Sequence, residues 1–171
     1  MMRWTVAFIL GLLLSTVAWA GEPASLNTAG TVWINKVLLP SGTTLHQGDR
    51  VDTDRASAAV IASRSTGRVE VLERSSVSLG ERQVTLHQGV VSTSKEAIQF
   101  GDMHVKQRDA ANALVVVAKR GEQVLIAAHR GDALISQPGA APLLLPAGSY
   151  AVPAGQTPSE GSDQAENNPE Y

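Results

Sequence analysis

Five short segments alternate apolar with polar side chains and begin only five to fourteen residues apart, a spacing that leaves no room for helices between them. They are Val69-Glu70-Val71, Val77-Ser78-Leu79, Val84-Thr85-Leu86, Ile98-Gln99-Phe100 and Met103-His104-Val105. Each puts apolar groups on one side of the chain and a polar group on the other, as a half-buried strand requires. Gly67, Gly80, Gly89, Gly101, Gly121, Gly131 and Gly148 punctuate these segments where the chain must turn. The pattern predicts an all-β fold with tight connections.

Two other stretches, Leu114-Val115-Val116-Val117 and Val124-Leu125-Ile126-Ala127-Ala128, are continuously apolar. With a polar turn at Lys119-Arg120-Gly121-Glu122 between them, they are expected to form a hairpin buried on both faces. Arg55-Ala56-Ser57-Ala58-Ala59-Val60 is read as strand or turn. A pentapeptide recurs intact, Thr44-Leu45-His46-Gln47-Gly48 and Thr85-Leu86-His87-Gln88-Gly89, 41 residues apart. A looser copy around Gly131 follows the second by 42 residues. Equivalent turns at a near-constant period point to a solenoid-like or rolled sandwich arrangement of short strands.

The first twenty residues read as an export signal. Arg3 supplies a positive start, residues 7–17 form an apolar run centred on Leu10, Leu12, Leu13 and Leu14, and Ala18-Trp19-Ala20 has the small-x-small form of a cleavage site. The run is shorter than the roughly 20 residues of a spanning helix. The expectation is cleavage after Ala20 and a periplasmic or secreted protein with no stable membrane insertion. The chain has no Cys, so an apolar core rather than disulfides must carry stability. From a total charge of -2, losing Arg3 with the signal and Glu160, Asp163, Glu166 and Glu170 with the tail leaves a body at +1. Such a near-neutral body is expected to offer no electrostatic footprint for nucleic acid or anionic lipid. Outside the signal the aromatics are Trp33, Phe100, Tyr150 and Tyr171, too few for a row of stacking platforms. Trp33 is read as a core or end-plug residue.

In their order along the chain these segments resemble the FecR-like periplasmic domain. Leu45-His46-Gln47-Gly48-Asp49-Arg50-Val51-Asp52-Thr53, followed by Ser57-Ala58-Ala59-Val60, matches the family's opening phrase. Val69-Glu70-Val71-Leu72, Ser76-Val77-Ser78-Leu79, Leu86-His87-Gln88-Gly89-Val90-Val91 and the closing Leu145-Pro146-Ala147-Gly148 follow in the family's order. The Gly-Thr that often precedes a late strand in the sensors is replaced by Ala110-Ala111-Asn112-Ala113. The sensors also carry an anti-sigma segment and a membrane helix ahead of the domain, and neither is expected here. The resemblance therefore implies the domain rather than the signalling pathway: all-β, solenoid-like and without catalytic residues. The resulting organisation is signal peptide at 1–20, linker at 21–29, FecR-like β domain at 30–152 and a disordered acidic tail at 153–171, rich in Pro, Gly and Ser.

No residue is expected to be catalytic, to bind a cofactor or to ligate a metal. His46, His87, His104 and His129 show no ligand spacing. Asp49, Asp52 and Asp54 are interrupted by Arg50 and followed by Arg55, and are expected on an exposed strand edge. Arg130-Gly131-Asp132 falls at a repeat turn. Gly-x-Ser-x-Gly, His-Glu-x-x-His and cysteine nucleophiles are absent from the sequence. The expected function is a non-enzymatic interaction or envelope-sensing module whose partner, another envelope protein, pairs on a strand edge or face. The alternative is a small ligand-binding or hydrolytic domain with a polar site near His46, His87 and Asp49.

Overall fold

The computed structural model describes residues 23–63, 67–95, 97–108 and 113–153; the expected signal at 1–20 and nearly all of the expected tail lie outside them. The described residues form strands and no helix, as the period-two pattern predicts. In chain order the strands are β1 (Ala24–Ala29), β2 (Val32–Ile34), β3 (Val37–Leu38), β4 (Thr44–Leu45), β5 (Arg50–Thr53), β6 (Ala58–Ser63), β7 (Gly67–Val71) and β8 (Ser76–Leu79). Then come β9 (Gln83–Thr93), β10 (Ala97–Phe100), β11 (Met103–Gln107), β12 (Leu114–Arg120), β13 (Gln123–Arg130), β14 (Ala133–Ser136), β15 (Leu143–Leu145) and β16 (Ser149–Ala151).

Pairing produces two ladders joined through one strand. The first runs β4-β1-β6-β7-β9-β12-β13-β16. The second runs β3-β2-β5-β8-β9-β10-β11-β14-β15. All of these pairs are antiparallel except β9 with β10. Strand β9 belongs to both: residues 83–88 pair with β8 and β10, and residues 89–93 with β7 and β12. The result is one open sheet.

The change of ladder inside β9 is written in its side-chain parity. Val84 and Leu86 point into the core, but so do Val91 and Thr93, so the inward positions shift from even to odd. One extra residue accomplishes this: Leu86 pairs with Val77 and Gln88 with Ser76, leaving His87 as a bulge. Gly89 then bends the strand at φ +89°, and a Cβ there would sit 2.5 Å from Ser75 Cα. Every other crossing between ladders whose residues are all described also has a positive-φ residue: Gly30, Gly42, Gly48, Ala56, Arg74, Gly131 or Gly148. Two buried serines brace these corners in the same way. Ser57 Oγ accepts the Thr31 N–H at 2.9 Å and donates to the Arg55 carbonyl. Ser75 Oγ accepts the Val90 N–H at 2.8 Å and donates to the Glu73 carbonyl. In both cases the amide belongs to the residue after the corner glycine.

Both ladders contribute to a single apolar cluster, with Leu26, Ile61, Val71, Val91, Val117 and Ile126 from the first and Val32, Val51, Val77, Leu86, Ile98 and Val105 from the second. Each such Leu, Ile or Val contributes about 1.5–3 kcal/mol on burial. Among the described residues, one buried side-chain atom lacks a hydrogen-bond partner, Ser76 Oγ beside the His87 bulge.

Several expectations are corrected. Residues 24–29, read as linker, form β1, which pairs with β4 and β6 and buries Leu26 completely; its mixed composition, ASLNTA, hid the alternation. Trp33 lies between the buried Val32 and Ile34 and so takes the opposite face, half-buried beside Leu38 and Asp52. The hairpin of β12 and β13 forms in register from Val115↔Ala128 to Arg120↔Gln123, but it is buried on one face only, with Leu125 43% exposed. An apolar run does not report its second face.

Candidate interaction edges

An open sheet ends in strands whose outer backbone groups have no ladder partner. Among the described residues those ends are β4 and β16 in the first ladder and β3 and β15 in the second. Three of them display apolar side chains. Val37 and Leu38 on β3 are 56% and 63% exposed, Leu143 and Leu144 on β15 are 54% and 41%, and Tyr150 on β16 is 73%. Strands β15 and β16 close opposite ladders at the same end of the chain and touch each other. Their connection is tied down: Asp132 Oδ1 accepts the Ala147 N–H at 3.1 Å, and the Gly148 N–H reaches the Ala128 carbonyl at 2.6 Å. The edge is thus presented on a fixed corner. Pro142 and Pro146 flank β15, limiting how far a foreign strand can extend along it.

The polar residues singled out in the sequence have mostly structural work. Asp49 accepts the His46 N–H at 2.7 Å and the Asn35 side-chain amide at 2.7 Å, closing the turn after β4. Asp52 pairs with Arg50 at 3.1 Å on the outer side of β5. That strand is interior, held between β2 and β8, so the expected charged edge is not where these aspartates lie. Asp54 accepts the Arg55 N–H, and Asp132 of the Arg130-Gly131-Asp132 tripeptide serves the β15–β16 connection. His129 is exposed on β13. Among the described residues no group of three or more His, Cys, Asp or Glu could hold a metal ion, and no helix is long and apolar enough to cross a membrane.

His87 and His46 have different anchors. His46 is fixed through its backbone, whereas His87 Nε2 shares a hydrogen bond of 2.8 Å with Ser78 Oγ. Partial desolvation of the His87 ring, with the charges of Arg50 and Lys119, pulls its pKa below the usual 6.5 against the opposing pull of Asp52.

A cleft of about 800 Å³ opens elsewhere, lined by Gln47, Glu81, Arg82, Gln83, His104 and Lys106 among others. It arises because β10 runs parallel to β9, so that Gln83 sits beside Ala97, and Gln83 Nε2 donates to Gln99 Oε1 at 2.8 Å. Of the positions expected for a polar site, His46, His87 and Asp49 are not in its lining; Gln47 of the first pentapeptide is. Arg82, in the β8–β9 connection, and Lys106, on β11, carry no local sequence signal, since the pairing of β10 with both β9 and β11 brings them to one cleft. No family model, curated protein or solved structure matches this chain.

Proposed function

We propose that the chain is an exported, FecR-like, solenoid-like β module that acts without catalysis by pairing with an extended segment of another envelope protein. The repeated passage of the chain between two ladders, with a positive-φ residue at each crossing whose residues are all described, supports the solenoid-like reading. The observation that carries the function is the β15–β16 end, where Leu143, Leu144 and Tyr150 are exposed on strands whose outer backbone groups have no ladder partner among the described residues. Backbone groups of this kind give a partner strand affinity, and apolar side chains beside them give it selectivity.

The test is site-specific photocrosslinking in envelope extract from residues 38, 144 and 150, with exposed Leu125 as control. The expected result is a discrete adduct from 144 or 150, the one from 144 lost on converting Leu143 to Lys and the one from 150 lost on converting Leu143 and Leu144 to Lys. Stability should stay within about 0.5 kcal/mol, because both positions lie on the surface. Adducts only from residue 125, or none from any site, would overturn the proposal. The 800 Å³ cleft favours a second reading, a domain binding a small polar ligand through His104, Arg82 and Lys106. It is supported if saturable ligand binding is lost in His104→Ala while the crosslinks persist.

A further inference from the structure

A second cleft, of about 480 Å³, lies between the β7–β8 connection, the bend of β9 and the end of the β12–β13 hairpin. Its lining brings together Arg74, Lys119 and Arg120, with Glu73, Gln88 and Leu72. Three cations meet one carboxylate there, although the body as a whole is near neutrality. That carboxylate is engaged elsewhere, since Glu73 Oε2 accepts the Ala56 N–H at 3.0 Å. Among the described residues the ion pairs are Arg50 with Asp52 and Arg68 with Glu70, so none of the three cations has a carboxylate partner. Lys119 is half-buried, which makes a missing counter-charge more costly than at a free surface.

The cations are held by backbone that cannot drift far. Thr53 Oγ1 donates to the Leu72 carbonyl and accepts the Ser75 N–H at 3.0 Å. Ser75 in turn bonds Val90 beside Gly89, whose missing Cβ lets the two segments touch. Lys119 stands opposite Gly89 in the β12–β9 register, and Arg120 immediately precedes the tight turn at Gly121. Arg74 itself adopts φ +52°. Most ladder crossings put a glycine in that conformation; here a long cationic side chain occupies it at a cost of about 1–2 kcal/mol. Asn35, Lys36 and Ala56 share a positive φ among the non-glycine residues, and of the four only Arg74 lines this cleft.

We infer that this cleft binds a doubly charged oxyanion of the phosphate class. Guanidinium groups such as those of Arg74 and Arg120 offer planar donor pairs suited to such oxygens, Lys119 adds a compact charge, and Gln88 shares the lining. Free phosphate and a phosphorylated headgroup offer the same oxygens. His87 serves as a reporter: burial is the main cause of its lowered pKa, and Lys119 adds a smaller contribution in the same direction that a bound anion would offset.

The experiment is a titration of the full chain with inorganic phosphate at constant ionic strength, followed by NMR at the Gly89 and Gly121 amides and the His87 ring. Saturable shifts are expected, with a rise in the His87 pKa on binding. Affinity should fall about tenfold in Lys119→Gln, the loss of one charge-assisted contact. Arg74→Gly separates binding from folding, since it should raise the denaturation midpoint while weakening phosphate binding. In a parallel arm, phosphate-competed sedimentation with phosphatidic acid vesicles, lost in Lys119→Gln, would assign a headgroup source. Sedimentation with the vesicles unchanged by phosphate or by Lys119→Gln would overturn the inference. So would linear shifts matched by chloride, or variants that bind phosphate like the parent.

Discussion

The two glycines of the repeated pentapeptide have nearly the same backbone, φ +92° at Gly48 and +89° at Gly89, in different surroundings. At Gly48 a Cβ would meet nothing within 4 Å, while at Gly89 it would strike Ser75. Gly48→Ala should therefore cost about 1–2 kcal/mol, the left-handed penalty alone. Gly89→Ala should cost roughly a further 1–3 kcal/mol for overpacking against backbone. Chemical denaturation of the two variants checks this, and equal losses would refute the assigned roles. The leucines of the repeat are equivalent as well, since Leu45 and Leu86 are both fully buried. The repeat was legible as packing and turning, but the difference between its copies was not, because Ser75 reaches Gly89 only through the pairing of β8 with β9.

Strand β9 pairs with four neighbours, β7, β8, β10 and β12, and holds both ladders. Local opening should begin at the four edge strands, β3, β4, β15 and β16, where contacts are fewest, and reach β9 last. Hydrogen exchange should accordingly protect the Val91 and Val117 amides longest and those of Leu38 and Leu144 least; comparable protection at edge and hub would contradict this hierarchy. The period-two segments were readable as strands because each buries one face. Strand β1 escaped because Ser25 and Asn27 separate small or isolated apolar residues, and only pairing with β6 brings Leu26 into the core. The two clefts escaped for a related reason: their linings come from loops and strands joined by register, a non-local property.

For the molecule as a whole, acid should weaken the fold through His87. Its pKa is lowered in the folded state by partial desolvation and by Arg50 and Lys119, so below about 6.5 the unfolded chain binds the proton more readily. The contribution is fully present above pH 6.5 and is lost as pH falls through the lower folded-state value. Stability measured across this range should fall with acidification, and His87→Gln should flatten the profile; an unchanged slope would assign the effect to another group. The sequence by itself determined the strand-only character, the glycine-marked turns and the reliance on an apolar core, because alternation, left-handed corners and the absence of Cys act locally or through composition. Only the tertiary structure decided that β9 is shared by two ladders, that Asp49 closes a turn while Asp52 lies on an interior strand, and that Arg74, Lys119 and Arg120 line one cleft. These outcomes depend on strand register, which a chain specifies only when distant segments compete for the same core.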